Sequence, residues 1–202
     1  MSRKDVYLSV DLDYWDWDRL ERHPKNVSRR SLEFFKRVLS TRSSIRVYVE
    51  HNEVLRDFKG KHGFSVVINV DFHDDIVAPY DVDHTPPEAC WVNSVPGKEQ
   101  MQYWWMYPSH KVCCVEGEGL CSNNGDYLWP SRWHDWGYIR RQEGLSGIPW
   151  NRVGAISVVL SPKFTCPMYV FAAITLLSNH NDVVFSSSSK LVIRDWKRLF
   201  PR

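Results

Sequence analysis

The sequence has no long apolar run, no excess of either charge and no CxxC cysteine pair. Its longest apolar stretch, near residues 169–178, is too short to cross a bilayer. The 26 basic and 24 acidic residues leave a net charge of only +2, which gives no strong field for nucleic acid or for an anionic membrane surface. We therefore expect a protein that binds neither nucleic acid nor membranes.

The five cysteines lack the spacing of a structural zinc ribbon, since Cys113 and Cys114 are adjacent and Cys121 lies alone. We interpret the cysteines as buried, unpaired thiols of a reducing compartment. The first residues do not resemble a signal peptide, because acids appear before any long apolar stretch forms. These two features predict a cytoplasmic location.

The chain does contain alternating strand-like and helix-like segments. Predicted strands cover 5–11, 45–50, 64–70, 111–115, 153–160 and 191–194, and predicted helices cover 28–42, 52–60 and 166–180. The first 75 residues therefore follow the order strand, helix, strand, helix, strand. This order predicts an α/β fold with a mostly parallel sheet, and a length of 202 residues suits a single domain over 1–202.

The middle of the chain, about 79–150, is rich in proline and in short polar runs such as SNNGD and GLSGIP. This composition predicts loops with few long elements. Loops above the carboxyl edge of a sheet commonly hold substrate-binding groups. The SSSSK run at 186–190 is interpreted as a turn or an exposed loop.

Two acidic motifs stand where strand-like runs end. VYLSVDLDYWD carries Asp11 and Asp13, and FSVVINVDFHDDI carries Asp71, His73 and Asp75. Alternate residues of an extended backbone point the same way, so each motif can aim its polar side chains at one point. The repulsion between the ionised acids of the second motif favours a cation between them.

His51 follows the β-branched run RVYV and adds an imidazole at the end of a third strand. Binding sites of open α/β sheets lie at the carboxyl ends of strands, so we expect four carboxylates and two imidazoles to meet there. The simplest chemistry that needs this set is a pair of divalent metal ions. Oxygen and imidazole ligands without a thiolate favour manganese, with zinc, iron and magnesium as alternatives.

These segments resemble the arginase and ureohydrolase group, which is marked by an SxDxDxxD segment, a DAHxD segment and a further metal-binding histidine. The corresponding segments here are SVDLDYWD, DFHDD and VEHNEVL. Together with PEACWVN, which ends at Asn93, VEHNEVL resembles more closely the ureohydrolase-like proteins that include peptide arginases. The resemblance covers about the first half of the chain and implies a three-layer α/β/α fold with two manganese ions.

The order of the motifs differs from that of arginases, in which DAHxD precedes DxD. A permuted order can preserve a site, because the chemistry depends on where side chains meet. Carried over residue by residue, the resemblance assigns Asp11 and Asp71 to both ions. It adds His51 and Asp75 to one ion, and Asp13 and His73 to the other.

The resemblance also implies a reaction, in which water activated between the ions converts an arginine side chain to ornithine and urea. The leaving amine needs a proton, for which Glu88 is the first candidate and His84 the second. Both follow DxHxD at about the distance at which arginases place a proton-shuttling histidine. Candidate contacts for the substrate are Asp16, Glu53, Asp74, Trp91 and Asn93.

Ten tryptophans cluster in DYWDWD, QYWWMYP and LWPSRWHDWGY. Such residues either pack a core or line a groove for an extended peptide or a sugar. Because the amino-acid-binding segment of the small-molecule enzymes is not found, we predict a peptide arginase that acts on the precursor peptide of a ribosomally made natural product. Free arginine or agmatine is the alternative substrate within the group. Homo-oligomers are common in that group, but the sequence identifies no interface.

Two further classes stay open. VYLSVDLDYW resembles the opening of haloacid dehalogenase-like phosphatases, in which Asp11 would be the nucleophile and Asp13 the acid. Those enzymes usually follow the second aspartate with Thr or Val, where Tyr14 and Trp15 stand, and they require neither histidine. The other class is a non-catalytic module whose acids and tryptophans bind a basic peptide or a sugar.

Overall fold

A computed structural model of the chain describes residues 4–15, 24–60, 63–73, 75–76, 91–108, 136–163, 165 and 167–199. The predicted strand at 111–115 and all five cysteines lie outside these residues.

Seven parallel strands form one sheet in the order β5-β4-β3-β1-β6-β2-β7. The strands are β1 Val6–Asp11, β2 Ser44–Tyr48, β3 Val66–Val70, β4 Gln102–Tyr107, β5 Tyr138–Glu143, β6 Val153–Val159 and β7 Val183–Phe185. The central strands β1 and β3 are buried along their whole length, as expected for a sheet covered on both faces. The predicted α/β class with a parallel sheet is confirmed.

Three α-helices are described, α1 Pro24–Leu39, α2 Pro167–Ser178 and α3 Ser187–Leu199. Helices were predicted at 28–42 and 166–180, and α1 begins one turn before the serine expected to cap it. Side chains of α1 and α2 pack in one core cluster with Val6, Leu8 and Val10 of β1. None of the helices in the described ranges combines the length and the apolar character that a membrane span requires.

The opposite face of the sheet carries a second core cluster. Here a 3-10 helix, His51–Phe58, contributes Val54 and Phe58, and the short turn Trp91–Ser94 contributes Trp91. They pack with Tyr7 of β1 and Tyr103 of β4, whose side chains point away from α1 and α2. The sheet therefore lies between two covered faces, consistent with a three-layer α/β fold.

The strand predicted at 191–194 is wrong, because these residues lie inside α3. Its β-branched run looked strand-like, but the preceding serines start a helix. The backbone N–H of Ser189 donates to Ser186 Oγ at 3.1 Å, and that of Lys190 donates to Ser186 O at 3.0 Å. Ser186 therefore caps the helix, and SSSSK begins α3 where a turn or an exposed loop was expected.

Three strands were not predicted. β4 and β5 lie in the proline-rich middle, which is therefore less loop-rich than expected, and β7 is only three residues long. β4 is QYWWMY, whose aromatic residues suit a strand but were interpreted as part of a tryptophan cluster.

Candidate metal centre

The predicted ligands come from three neighbouring places at the carboxyl edge of the sheet. Asp11 is the last residue of β1, and Asp71 directly follows β3. These two strands pair side by side. His51 begins the 51–58 helix, three residues after β2 ends. The topology therefore brings these motifs to one edge, as the sequence predicted.

One half of the site, which we call the closed half, consists of Asp11, His51, Asp71 and Asp75. His51 Nδ1 lies 3.2 Å from Asp11 Oδ2, 3.2 Å from Asp71 Oδ2 and 3.2 Å from Asp75 Oδ2. All four residues are at most 5% exposed. Ligand atoms of Asp11, His51 and Asp71 lie within 4.8 Å of one another, so this half could hold a metal ion.

The other half, the open half, consists of Asp13, Asp71 and His73. His73 Nδ1 lies 3.2 Å from Asp13 Oδ2 and 3.8 Å from Asp71 Oδ1, and the ligand atoms again fall within 4.8 Å of one another. The His73 side chain is 50% exposed, whereas that of Asp13 is 2% exposed. Asp71 belongs to both halves and turns a different oxygen to each histidine.

Backbone N–H groups hold the carboxylates in these orientations. The N–H of Asp13 donates to Asp11 Oδ1 at 3.0 Å, and that of His73 donates to Asp71 Oδ1 at 2.8 Å. The N–H of Phe72 donates to Asp13 Oδ1 at 3.4 Å and so links the two motifs. The i to i+2 bonds are the local turns that aspartate favours, which explains why each motif places a second ligand two residues after its first aspartate.

Two buried polar residues that were not predicted as site residues support the closed half from within the sheet. Ser9 Oγ lies 2.9 Å from His51 Nε2, so the other ring nitrogen faces the carboxylates. Asn69 Nδ2 donates to Asp71 Oδ2 at 3.2 Å and to Asp75 Oδ2 at 3.3 Å. Ser9 and Asn69 each precede a ligand by two residues, so the alternation of side chains along a strand could have identified them.

Ser161 is a third supporting residue that the sequence did not indicate. Its hydroxyl donates to Asp11 Oδ2 at 2.5 Å. Ser161 has φ +41° and Asp75 has φ +54°, a left-handed conformation that non-glycine residues seldom adopt. Strained backbone of this kind concentrates at functional sites, and two of the three non-glycine instances among the described residues belong to or contact the closed half, the third being Arg42.

Trp91, a predicted substrate contact, lies behind the ligands. Its side chain is 1% exposed, and Nε1 donates to Asp75 Oδ2 at 2.7 Å. The indole also stacks on the His51 ring, with centroids 5.0 Å apart and an interplanar angle of 18°. The indole therefore supports two ligands, and its burial leaves little surface for a substrate.

The other predicted substrate contacts have different surroundings. Both Glu53 oxygens accept hydrogen bonds from Ser188 Oγ, at 2.8 and 2.7 Å, which ties the 51–58 helix to α3. The Asn93 carbonyl accepts a hydrogen bond from Lys98 Nζ. Their roles towards a substrate stay predictions. The same holds for residues outside the described ranges, namely Asp16, Asp74, His84 and Glu88.

The site buries several ionisable side chains close together, and burial opposes the charged form of each. Burial and the nearby charges of Asp11 and Asp71 raise the pKa of Asp13, and burial and Asp71 raise that of Asp75. Burial favours neutral His51, but the carboxylates, Asp75 first, outweigh it and raise the pKa of His51. Burial would also raise the pKa of Asp71, yet His51 and His73 hold it below its ordinary value.

A cation would resolve this conflict, because it stabilises the ionised form of every carboxylate around it. The donor set is four carboxylates and two imidazoles without a thiolate, which suits a divalent metal ion. Comparison of the chain with protein-family models, with curated proteins and with solved structures finds no match in any of the three. Function is therefore inferred from the site.

Proposed function

We propose that the chain is a binuclear metal-dependent hydrolase that converts arginine side chains of a precursor peptide to ornithine and releases urea. The observation that carries this proposal is the membership of Asp71 in two ligand groups at once. A carboxylate shared in this way is typical of sites that hold two divalent ions a few ångströms apart. Manganese is the metal that the donor set favours, with zinc, iron and magnesium as alternatives.

The six side chains divide naturally between two ions. His51 and Asp75 would serve the closed half, Asp13 and His73 the open half, and Asp11 and Asp71 both. Two ions held in this way would supply a hydroxide nucleophile at neutral pH, because they would lower the pKa of bound water.

The chain itself selects and orients the substrate. A guanidinium is a planar cation that hydrogen-bonds carboxylates through paired N–H groups, so a carboxylate that binds no ion would align it, and Asp16, Glu53 and Asp74 are the proposed partners. His73 is the exposed ligand, and a side chain approaching the centre would therefore enter on the open half. Glu88 and His84 are the proposed donors of a proton to the leaving amine.

A peptide is favoured over a free amino acid because the sequence lacks the segment with which arginases bind the α-amino acid head. Free arginine or agmatine is the alternative. Five cysteines, an odd number without a paired spacing, support a cytoplasmic location.

The phosphatase alternative fits the geometry less well. Its nucleophile would be Asp11, which must reach a phosphorus atom. Asp11 is 3% exposed, and its Oδ2 already accepts a hydrogen bond from Ser161 and lies 3.2 Å from His51. A side chain enclosed in this way suits a ligand better than a nucleophile.

The test is metal content by mass spectrometry, paired with urea release from an arginine-containing peptide and from free arginine. We expect about two manganese ions per chain and a loss of about 42 Da per converted arginine of the peptide. Asp71→Ala should abolish both results. Asp195→Ala, which changes an exposed aspartate of α3, is the matched control and should abolish neither.

Other outcomes are equally informative. One magnesium ion with phosphatase turnover would assign Asp11 as a nucleophile and overturn the proposal. A chain that binds no metal would exclude both enzymes and leave the non-catalytic binding module. Urea release from free arginine but not from the peptide would support the metal centre and identify free arginine as the substrate.

A further inference from the structure

Asp57 is a buried carboxylate near the end of the 51–58 helix that is remote from His51, and three side chains converge on it. The Tyr7 hydroxyl donates to Oδ2 at 2.6 Å, and the Tyr48 hydroxyl donates to Oδ1 at 2.6 Å. The Arg46 guanidinium also donates to Oδ1. The Asp57 side chain is only 6% exposed, whereas that of Arg46 is 49% exposed.

These donors come from two strands of the sheet. Tyr7 lies on β1, and Arg46 and Tyr48 lie on β2. Asp57 therefore ties the helix to both strands, while Val54 and Phe58 fill the core cluster beneath it. Burial and the charge of Asp57 raise the pKa of Tyr7 and Tyr48, so both hydroxyls stay protonated and able to donate.

The opposite end of the same helix carries His51. Its Nε2 lies 2.9 Å from Ser9 Oγ, and Ser9 is two residues after Tyr7 on the same face of β1. The helix is thus attached to one strand at both ends, through Tyr7 at Asp57 and through Ser9 at His51. A movement of this helix would change the three equal 3.2 Å distances from His51 Nδ1 to the carboxylates.

We propose that Asp57 is a positioning residue of the metal centre, which sets His51 between its three carboxylates by fixing the helix on β1 and β2. This inference rests on the proposed function only in its requirement that the centre binds metal. Outer residues that hold a ligand in place typically change metal affinity by about 10- to 100-fold when they are replaced.

The chemistry of the cluster makes asparagine the informative replacement. Asp57 accepts from three donors with two oxygens, whereas asparagine has one acceptor oxygen and an NH2 group that only donates. Asp57→Asn keeps the size of the side chain but removes the negative charge that Arg46 pairs with, and one tyrosine hydroxyl must change from donor to acceptor. The contacts that hold this end of the helix are thereby weakened.

Asp5 supplies a matched control at the other end of the sheet. Its side chain is 8% exposed, and it accepts hydrogen bonds from Arg152 at 2.9 and 2.8 Å and from Ser65 Oγ at 2.6 Å. It precedes β1 and pairs with no ligand of the centre in the contacts described. Asp5→Asn makes the same chemical change to a buried, arginine-paired aspartate.

The experiment is a titration of the metal-free full chain with Mn²⁺, together with its denaturant-induced unfolding, for wild type and both variants. We expect Asp57→Asn to weaken Mn²⁺ binding by about 10- to 100-fold. Asp5→Asn should lower the stability of the metal-free chain but leave the affinity within about threefold of wild type. A purely structural role of Asp57 would give the two variants the same affinity.

Tyr48→Phe keeps the inference testable if Asp57→Asn does not fold, since it removes one donor and keeps the ion pair. Its affinity should fall by less than that of Asp57→Asn but outside the threefold range. Wild-type affinity in whichever variant folds would overturn the inference alone. Absence of Mn²⁺ binding in wild type would overturn both the inference and the proposed function. If Asp57→Asn weakens Mn²⁺ binding but the wild-type chain releases no urea, the inference is supported and only the hydrolase function is overturned.

Discussion

The closed and open halves of the centre use the same ligand types in opposite surroundings. His51 is enclosed by three carboxylates and stacked on Trp91, whereas His73 contacts two carboxylates and is half exposed. The closed half is also supported by Ser9, Asn69 and Ser161. Under the proposed function, the closed half would retain its ion and the open half would face the substrate.

The largest expected effect separates the two halves directly. His51→Ala removes the imidazole from three buried carboxylates, and we expect it to lower urea release by more than about 100-fold. We also expect it to leave neither ion bound after dialysis, because the exposed open half shares Asp71 with the closed half. His73→Ala should lose only the ion of the open half. Metal stoichiometry after dialysis checks this, with His180→Ala, a change at an exposed histidine, as the control. Equal stoichiometry for the first two variants would contradict the division.

Removal of the metal should lower thermal stability, because the four buried carboxylates then repel one another. At a free metal concentration of about 100 times Kd, one bound ion adds about 2.7 kcal/mol to the free energy of unfolding. For a chain of this size we expect a chelator to lower Tm by about 5–10 °C. Calorimetry with and without the chelator measures the shift, and Asp71→Ala should show almost none. A full shift in that variant would mean that the ion binds elsewhere.

The support of the closed half can be tested at Ser161. Ser161→Gly removes the hydroxyl that donates to Asp11 and tolerates the left-handed backbone, so it separates the lost hydrogen bond from strain. We expect Mn²⁺ affinity to fall by about tenfold or more. Ser161→Ala should lose the same affinity and be less stable than Ser161→Gly, since it keeps a Cβ at a φ of +41°. Wild-type affinity in the glycine variant would show that Asp11 needs no support.

The smallest expected effect concerns the opposite edge of the sheet, where a buried acid has its own cation. The hydrogen bonds from Arg152 lower the pKa of Asp5 below its ordinary value of 3.8. The folded chain therefore binds the proton of Asp5 more weakly than the unfolded chain does. The ionised Asp5 stabilises the fold fully above about pH 3.8, and this stabilisation is lost as the pH falls below that value.

We expect the stability difference between wild type and Asp5→Asn to be about 1 kcal/mol or less near pH 6 and to shrink below pH 3.8. Urea unfolding at several pH values measures it. A difference that is independent of pH would show that Arg152 does not stabilise the ionised form.

The ligand positions could be predicted because they depend on local rules. An aspartate at or directly after the end of each strand bonds the backbone N–H of the ligand two residues on, and parallel strands present their carboxyl ends at one edge. Ser161 and the contacts of Trp91 with Asp75 and His51 could not be found in this way, because each depends on the tertiary fold. Part of α3 was predicted as a strand because its β-branched residues suit a strand, and the cap at Ser186 that starts the helix was not recognised. The strand β4 was missed because its tryptophans were interpreted as part of an aromatic cluster.

The sheet order constrains the length of the connection between β2 and the 51–58 helix. β6 lies between β1 and β2, so His51 must reach across a whole strand, whereas Asp11 and Asp71 stand directly on neighbouring strands. Only Val49 and Glu50 span that distance, and hydrogen bonds from Leu160 N to Tyr48 O and from Ser161 N to Val49 O, both 3.0 Å, keep this short connection straight. Insertion or deletion of a single residue there would withdraw the imidazole from the carboxylates.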